Sequence, residues 1–100
     1  MNNDDLERKL DELMPRVREA LNRPSVLAVK DHFAGYFNEL GITVELESNT
    51  PDAEVALLKD RVAPVMKAAQ LPFEWMVSFR RTGKSAGIYF PDGLFTDADE

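Results

Sequence analysis

Apolar residues recur near the start of the chain at Leu6, Leu10, Leu13, Met14, Val17 and Leu21, the stripe that one face of an α-helix presents. The spacing predicts a helix over 4–22. Acids stand four residues before bases at Asp4–Arg8, Asp5–Lys9, Glu12–Arg16 and Glu19–Arg23, the favourable order on a helix surface. Pro15 has no amide hydrogen and crowds the preceding turn, so a kink or a break is expected there. The seam also fits a heptad spacing, but over barely two heptads. An amphipathic helix packed on its own domain is the simpler reading.

A second helix is predicted over 25–40. Pro24 ends the first, Ser25 can cap, and Val26, Val29, Phe33, Phe37 and Leu40 return at helical intervals, with Gly41 closing the element. Residues 42–47 then alternate strictly, which predicts a strand with Ile42, Val44 and Leu46 inward. Thr50-Pro51-Asp52 has the chemistry of a helix start, with Thr50 as N-cap. The helix that follows is expected to reach about residue 69, to bury Val55, Leu58, Val62, Val65 or Met66, and Ala69, and to kink at Pro64.

Alternation is clearest over 73–80. Phe73, Trp75, Val77 and Phe79 share one face; Glu74, Met76, Ser78 and Arg80 share the other. Residues 81–85 make a glycine-containing hairpin loop, 86–90 return as a strand, and Pro91-Asp92-Gly93 turns the chain. Leu94 and Phe95 are expected to fold back on the core.

The predicted order is α-α-β-α-β-β. The fold class is α+β, a two-layer sandwich with a three-stranded antiparallel or mixed sheet covered by helices on one face. Residues 1–95 are expected to form a single domain and 96–100 a solvated acidic tail. Such a sheet has two edges, each a row of unpaired backbone groups that can receive another strand.

Charge narrows the partners. The 100 residues carry 18 acids and 12 bases, a formal net charge of −6. That balance repels nucleic-acid phosphates and anionic membranes. Only 73–90 has a positive excess, from Arg80, Arg81 and Lys84. There is no cysteine, which excludes disulfides, thiol nucleophiles and thiolate metal sites. The first residues, Met1-Asn2-Asn3-Asp4-Asp5, lack the basic and apolar regions of a secretory signal, and no apolar run is long enough to span a bilayer. A cytoplasmic location is the expectation.

Candidate chemistry is sparse. Gly83-Lys84-Ser85 is the end of a phosphate-binding loop motif, but the motif's first glycine position is Ser78 and a strand follows where a helix is needed. The blander reading is a solvated hairpin tip. Its functional counterpart is a small anion site at Arg80, Arg81 and Lys84, with Tyr89 near enough to stack a base. Met76 stands opposite Trp75, where it could anchor a partner. His32 is the only histidine and no nucleophile elbow accompanies it, so a boundary position with a satisfied hydrogen bond is expected. Glu45 and Glu47 share a strand face, and Asp97, Asp99 and Glu100 lack the pattern of a calcium loop.

The function expected from these residues is that of a small acidic non-enzymatic interaction domain of adaptor, chaperone, inhibitor or immunity type. Its partner would be another protein or a second copy of itself, with no cofactor and no metal. Two alternatives are a binding module for an anionic ligand or nucleic acid through 80–84, and an acidic mimic of nucleic acid.

Overall fold

A computed structural model of the chain describes residues 3–34 and 39–96. The described residues form two helices and a five-stranded mixed sheet, which is an α+β arrangement. In chain order these are α1 (Asn3–Ala20), β1 (Val26–Ala34), β2 (Glu39–Leu46), α2 (Asp52–Ala69), β3 (Glu74–Arg81), β4 (Lys84–Tyr89) and β5 (Phe95–Thr96). The expected order and strand number are therefore corrected to α-β-β-α-β-β-β and five.

The largest change is at 25–40, where a hairpin replaces the expected helix. Val29 pairs with Val44, Asp31 with Ile42 and Phe33 with Leu40 across antiparallel β1 and β2. Val29 and Phe33 lie four residues apart, about one helical turn but also two full strand periods. Their spacing alone could not choose. The surrounding β-branched and aromatic residues favour the pleated surface, and an interior Gly35 disfavours a helix. Gly41, expected to end a helix, lies inside β2 opposite His32. Tyr36 and Phe37 lie outside the described residues.

The strands lie side by side in sequence order. β2 and β3 are parallel, joined by the α2 crossover, while the other neighbours are antiparallel. Neither proline ends its helix, since α1 continues through Pro15 and α2 through Pro64. Both sit on exposed faces, where the lost backbone hydrogen bond costs least in packing. Thr50 does not cap α2. Its hydroxyl donates to the Glu47 carbonyl at 2.7 Å from a buried position, tightening the turn before the helix.

Both helices cover one face of the sheet. Leu13, Met14, Val17 and Leu21 at α1 and Val55, Leu58, Val62 and Met66 of α2 meet Leu40, Ile42, Val44, Leu46, Trp75, Val77 and Phe79. At the far end, Phe95 brings β5 into place. Its ring stands edge-on to Phe79 with centroids 6.0 Å apart, and the Lys59 ammonium lies 5.8 Å from it. That approach requires Gly87, whose φ is +137° and whose Cβ, if present, would stand 2.6 Å from Phe95 Cζ. Leu94, expected to join the core, remains half exposed at 53%. Residues 97–100, including Asp97, Asp99 and Glu100, lie outside the described residues.

Among the described residues, the other face of the sheet carries no helix. Register places Ala28, Lys30, His32 and Ala34 of β1 there. Beside them lie Gly41, Thr43 and Glu45 of β2, Met76, Ser78 and Arg80 of β3, and Ile88 of β4.

Candidate functional site

The basic hairpin does not gather its three cations. Strand alternation sends Arg80 and Arg81 to opposite faces. Arg81 turns towards the start of α2, where its Nε donates to the Thr50 carbonyl at 2.7 Å and its Nη2 pairs with Asp52. It ties the hairpin to the helix. Lys84 is opposite Arg81 in the ladder and exposed, while Arg80 stands with Glu45, Leu27, Thr82 and Gly83 around an open hollow of about 340 Å³. The turn is the two-residue Thr82-Gly83, with Gly83 at φ +77°, and β4 follows it directly. A strand rather than a helix leaves this loop, so the geometry of a phosphate-binding loop is not formed.

Tyr89 is in the core at 2% exposure, its ring 5.5 Å from that of Trp75. It is thereby removed as a stacking or anchoring contact. Met76 does stand on the uncovered face, half-buried among its neighbours. His32, expected at a boundary position, is an exposed residue on the same face of β1. No group of three metal-ligating side chains occurs among the described residues.

The most tightly bonded polar cluster is one that sequence reading missed. Arg23 grips Glu54 with two hydrogen bonds, Nε to Oε2 at 2.5 Å and Nη2 to Oε1 at 3.1 Å, and the Ser25 hydroxyl donates to Oε2 at 2.9 Å. The Arg23 bond, then that from Ser25, holds the Glu54 carboxyl below its ordinary range, and the Arg23 guanidinium is raised in turn. The cluster joins the α1–β1 connection to the first turn of α2. It is a latch between elements, and the Glu54 charge also suits the first turn of α2.

A second feature is the outer edge of β1, which has no neighbouring strand among the described residues. Antiparallel ladders alternate residues that bond to the partner strand with residues whose backbone groups face away. The Val29 carbonyl accepts from Arg18 of α1 at 3.5 Å, so Val29 faces away from β2. Period two gives Asp31 and Phe33 the same orientation. Arg18 also lies 3.7 Å from Asp31, and Lys30, on the uncovered face, pairs with Glu45 at 2.9 Å. A bulge at 26–28 leaves Leu27 61% exposed at one end of this edge. Exposure, an open ladder and charges of both signs are thus brought together on β1, a segment whose helical reading had hidden its edge.

No helix among the described residues is long and apolar enough to cross a membrane. Comparison with protein-family models, curated proteins and solved structures gives no match.

Proposed function

We propose that this chain is a small acidic protein-interaction module without a catalytic role, and that it contacts its partner through the β1 edge and the adjoining uncovered face. The observation that carries this reading is the nine-residue edge strand, with backbone groups of Val29, Asp31 and Phe33 turned outward and, among the described residues, only Arg18 laid across them. Strand addition to such an edge gives main-chain hydrogen bonds, with specificity from alternate side chains. On the covered side those side chains are Val29, Asp31 and Phe33; on the open side they are Ala28, Lys30 and His32.

The two alternatives have less support. Arg81 is engaged by Thr50 and Asp52, which leaves an anion-binding hairpin with Arg80 and Lys84 on different faces. Bases are interspersed among the acids, with pairs at Arg18–Asp31, Arg23–Glu54, Lys30–Glu45 and Arg81–Asp52, unlike the unbroken acidic face of a nucleic-acid mimic.

A photo-crosslinking residue at Lys30, expressed in the source cell, tests the proposal. Protein adducts from this position, absent with the same probe at exposed Lys67 of α2, are the expected result. No adducts above the Lys67 level would refute it.

A further inference from the structure

We infer that the partner at the β1 edge is a second copy of this chain, joined across a two-fold axis normal to the sheet to make one continuous ten-stranded sheet. The inference rests on the interaction reading above and adds the identity of the occupant.

The two-fold restricts the register. Antiparallel edge pairing about such an axis keeps both helical layers on the same side. Outward-facing residues must then meet outward-facing residues, so odd-numbered positions of one β1 meet odd-numbered positions of the other. Three registers centre on the exposed middle of the strand. With Lys30 on the axis, the two ammonium groups oppose each other and each Val29 meets an Asp31. With His32 on the axis, each Phe33 meets an Asp31. With Asp31 on the axis, Val29 of each copy meets Phe33 of the other on the covered side. On the open side of that register, Ala28 meets Ala34 and Lys30 meets His32.

Only the Asp31-centred register joins apolar to apolar at the margin of the core, where Val29 and Phe33 are half-buried and already packed against it. It also forms three hydrogen-bonded residue pairs, Val29–Phe33, Asp31–Asp31 and Phe33–Val29, each exchanging two backbone bonds.

Two facing carboxylates would by themselves repel. The structure supplies the compensation. Each Asp31 has Arg18 beside it at 3.7 Å, and that side chain is half exposed. On pairing, Arg18 leaves the Val29 carbonyl, which the partner's amide takes over. The two Arg18 and two Asp31 side chains then alternate in charge around the axis. Lys30 has His32 opposite it rather than a second lysine, and its own charge is already matched by Glu45.

Light scattering on the purified chain over about a hundredfold concentration range around a micromolar dissociation constant tests the inference. The wild type is expected at twice the protomer mass in its upper range. Asp31→Arg, which places four cations together, is expected to be monomeric. Arg18→Asp with Asp31→Arg restores the alternation and is expected to recover the dimer. Asp31→Pro removes the central outward amide without touching the β1–β2 ladder and is expected to abolish it, with circular dichroism confirming the fold of each variant. A monomeric wild type throughout, or a dimer indifferent to both Asp31→Arg and Asp31→Pro, overturns the inference. The Lys30 crosslinks separate the two readings. Adducts only with other proteins overturn the self-pairing and leave the interaction reading standing, whereas no adducts and no dimer overturn both.

Discussion

Replacing Gly87 by alanine tests the account of how β5 is held. The backbone at φ +137° is one that a residue with a Cβ rarely adopts, and holding alanine there costs roughly 1–3 kcal/mol. The new methyl would also meet Phe95 Cζ at 2.6 Å, Cε1 at 2.7 Å and the Thr96 carbonyl at 3.3 Å. The first two are ring atoms, so the ring must leave. Its departure forfeits the edge-on contact with Phe79, about 1 kcal/mol. It also exposes part of a half-buried phenyl group, about another 1 kcal/mol. Together these give a loss of roughly 3–5 kcal/mol, a large share of the 5–15 kcal/mol that holds an ordinary domain. At about 4–8 °C per kcal/mol for a chain of this size, the melting midpoint should fall by at least about 12 °C. Urea denaturation of Gly87→Ala, Phe95→Ala and the double variant measures it. With the ring removed, the steric part of the alanine effect disappears, so the two changes should couple by about 1 kcal/mol or more. A single-variant loss below about 1 kcal/mol, or strictly additive losses, would refute the reasoning.

The Glu54 carboxylate should make folding acid-sensitive. Because its pKa is lowered in the folded state, its contribution is fully present above the ordinary carboxylate range and is lost as pH falls through the lower folded value. Glu54→Gln should flatten that part of a stability-versus-pH curve measured by urea titration, and an unchanged curve would show the latch to be inert. Thr50→Val removes the buried hydroxyl's bond to the Glu47 carbonyl and should cost about 1 kcal/mol in chemical denaturation, with a neutral effect counting against the turn as described. Pro15→Ala on the exposed side of α1 should stabilise the fold by roughly 1–3 kcal/mol, because alanine restores an amide donor and relieves the clash with the preceding turn. Calorimetry showing a lower melting midpoint would contradict this.

Legibility followed the clarity of each period. The first helix, the helix after Pro51 and the strand over 74–81 each repeat with one period only, and their buried residues are those the pattern selects. The 25–40 segment is different. Val29 and Phe33 suit either period, and Asp31 between them breaks the alternation that would have announced a strand. The break has a physical cause. Asp31 faces the helical layer from an edge, where solvent and Arg18 receive a charge that a central strand could not bury. The hairpin was legible, but not the fate of its charges, because Arg81 is captured by Thr50 and Asp52 from a distant segment. The same limit hid Arg23–Glu54 and Arg18–Val29, pairs made only by the tertiary fold. No local spacing encodes them.

The sequential strand order bears on how the chain finds its fold. β1–β2 and β3–β4 are hairpins whose partners are close in the chain, and hairpins of this kind close in about 1–10 µs. The parallel β2–β3 seam is different, since it can form only after α2 has looped over the sheet. Loop-closure entropy is therefore concentrated at one step. Until that seam closes, Ile42 and Val44 on one side and Val77 and Phe79 on the other are unburied strand faces, and aggregation competes most strongly there. The crossover is thus the point where the speed of folding and the yield of soluble protein are decided together.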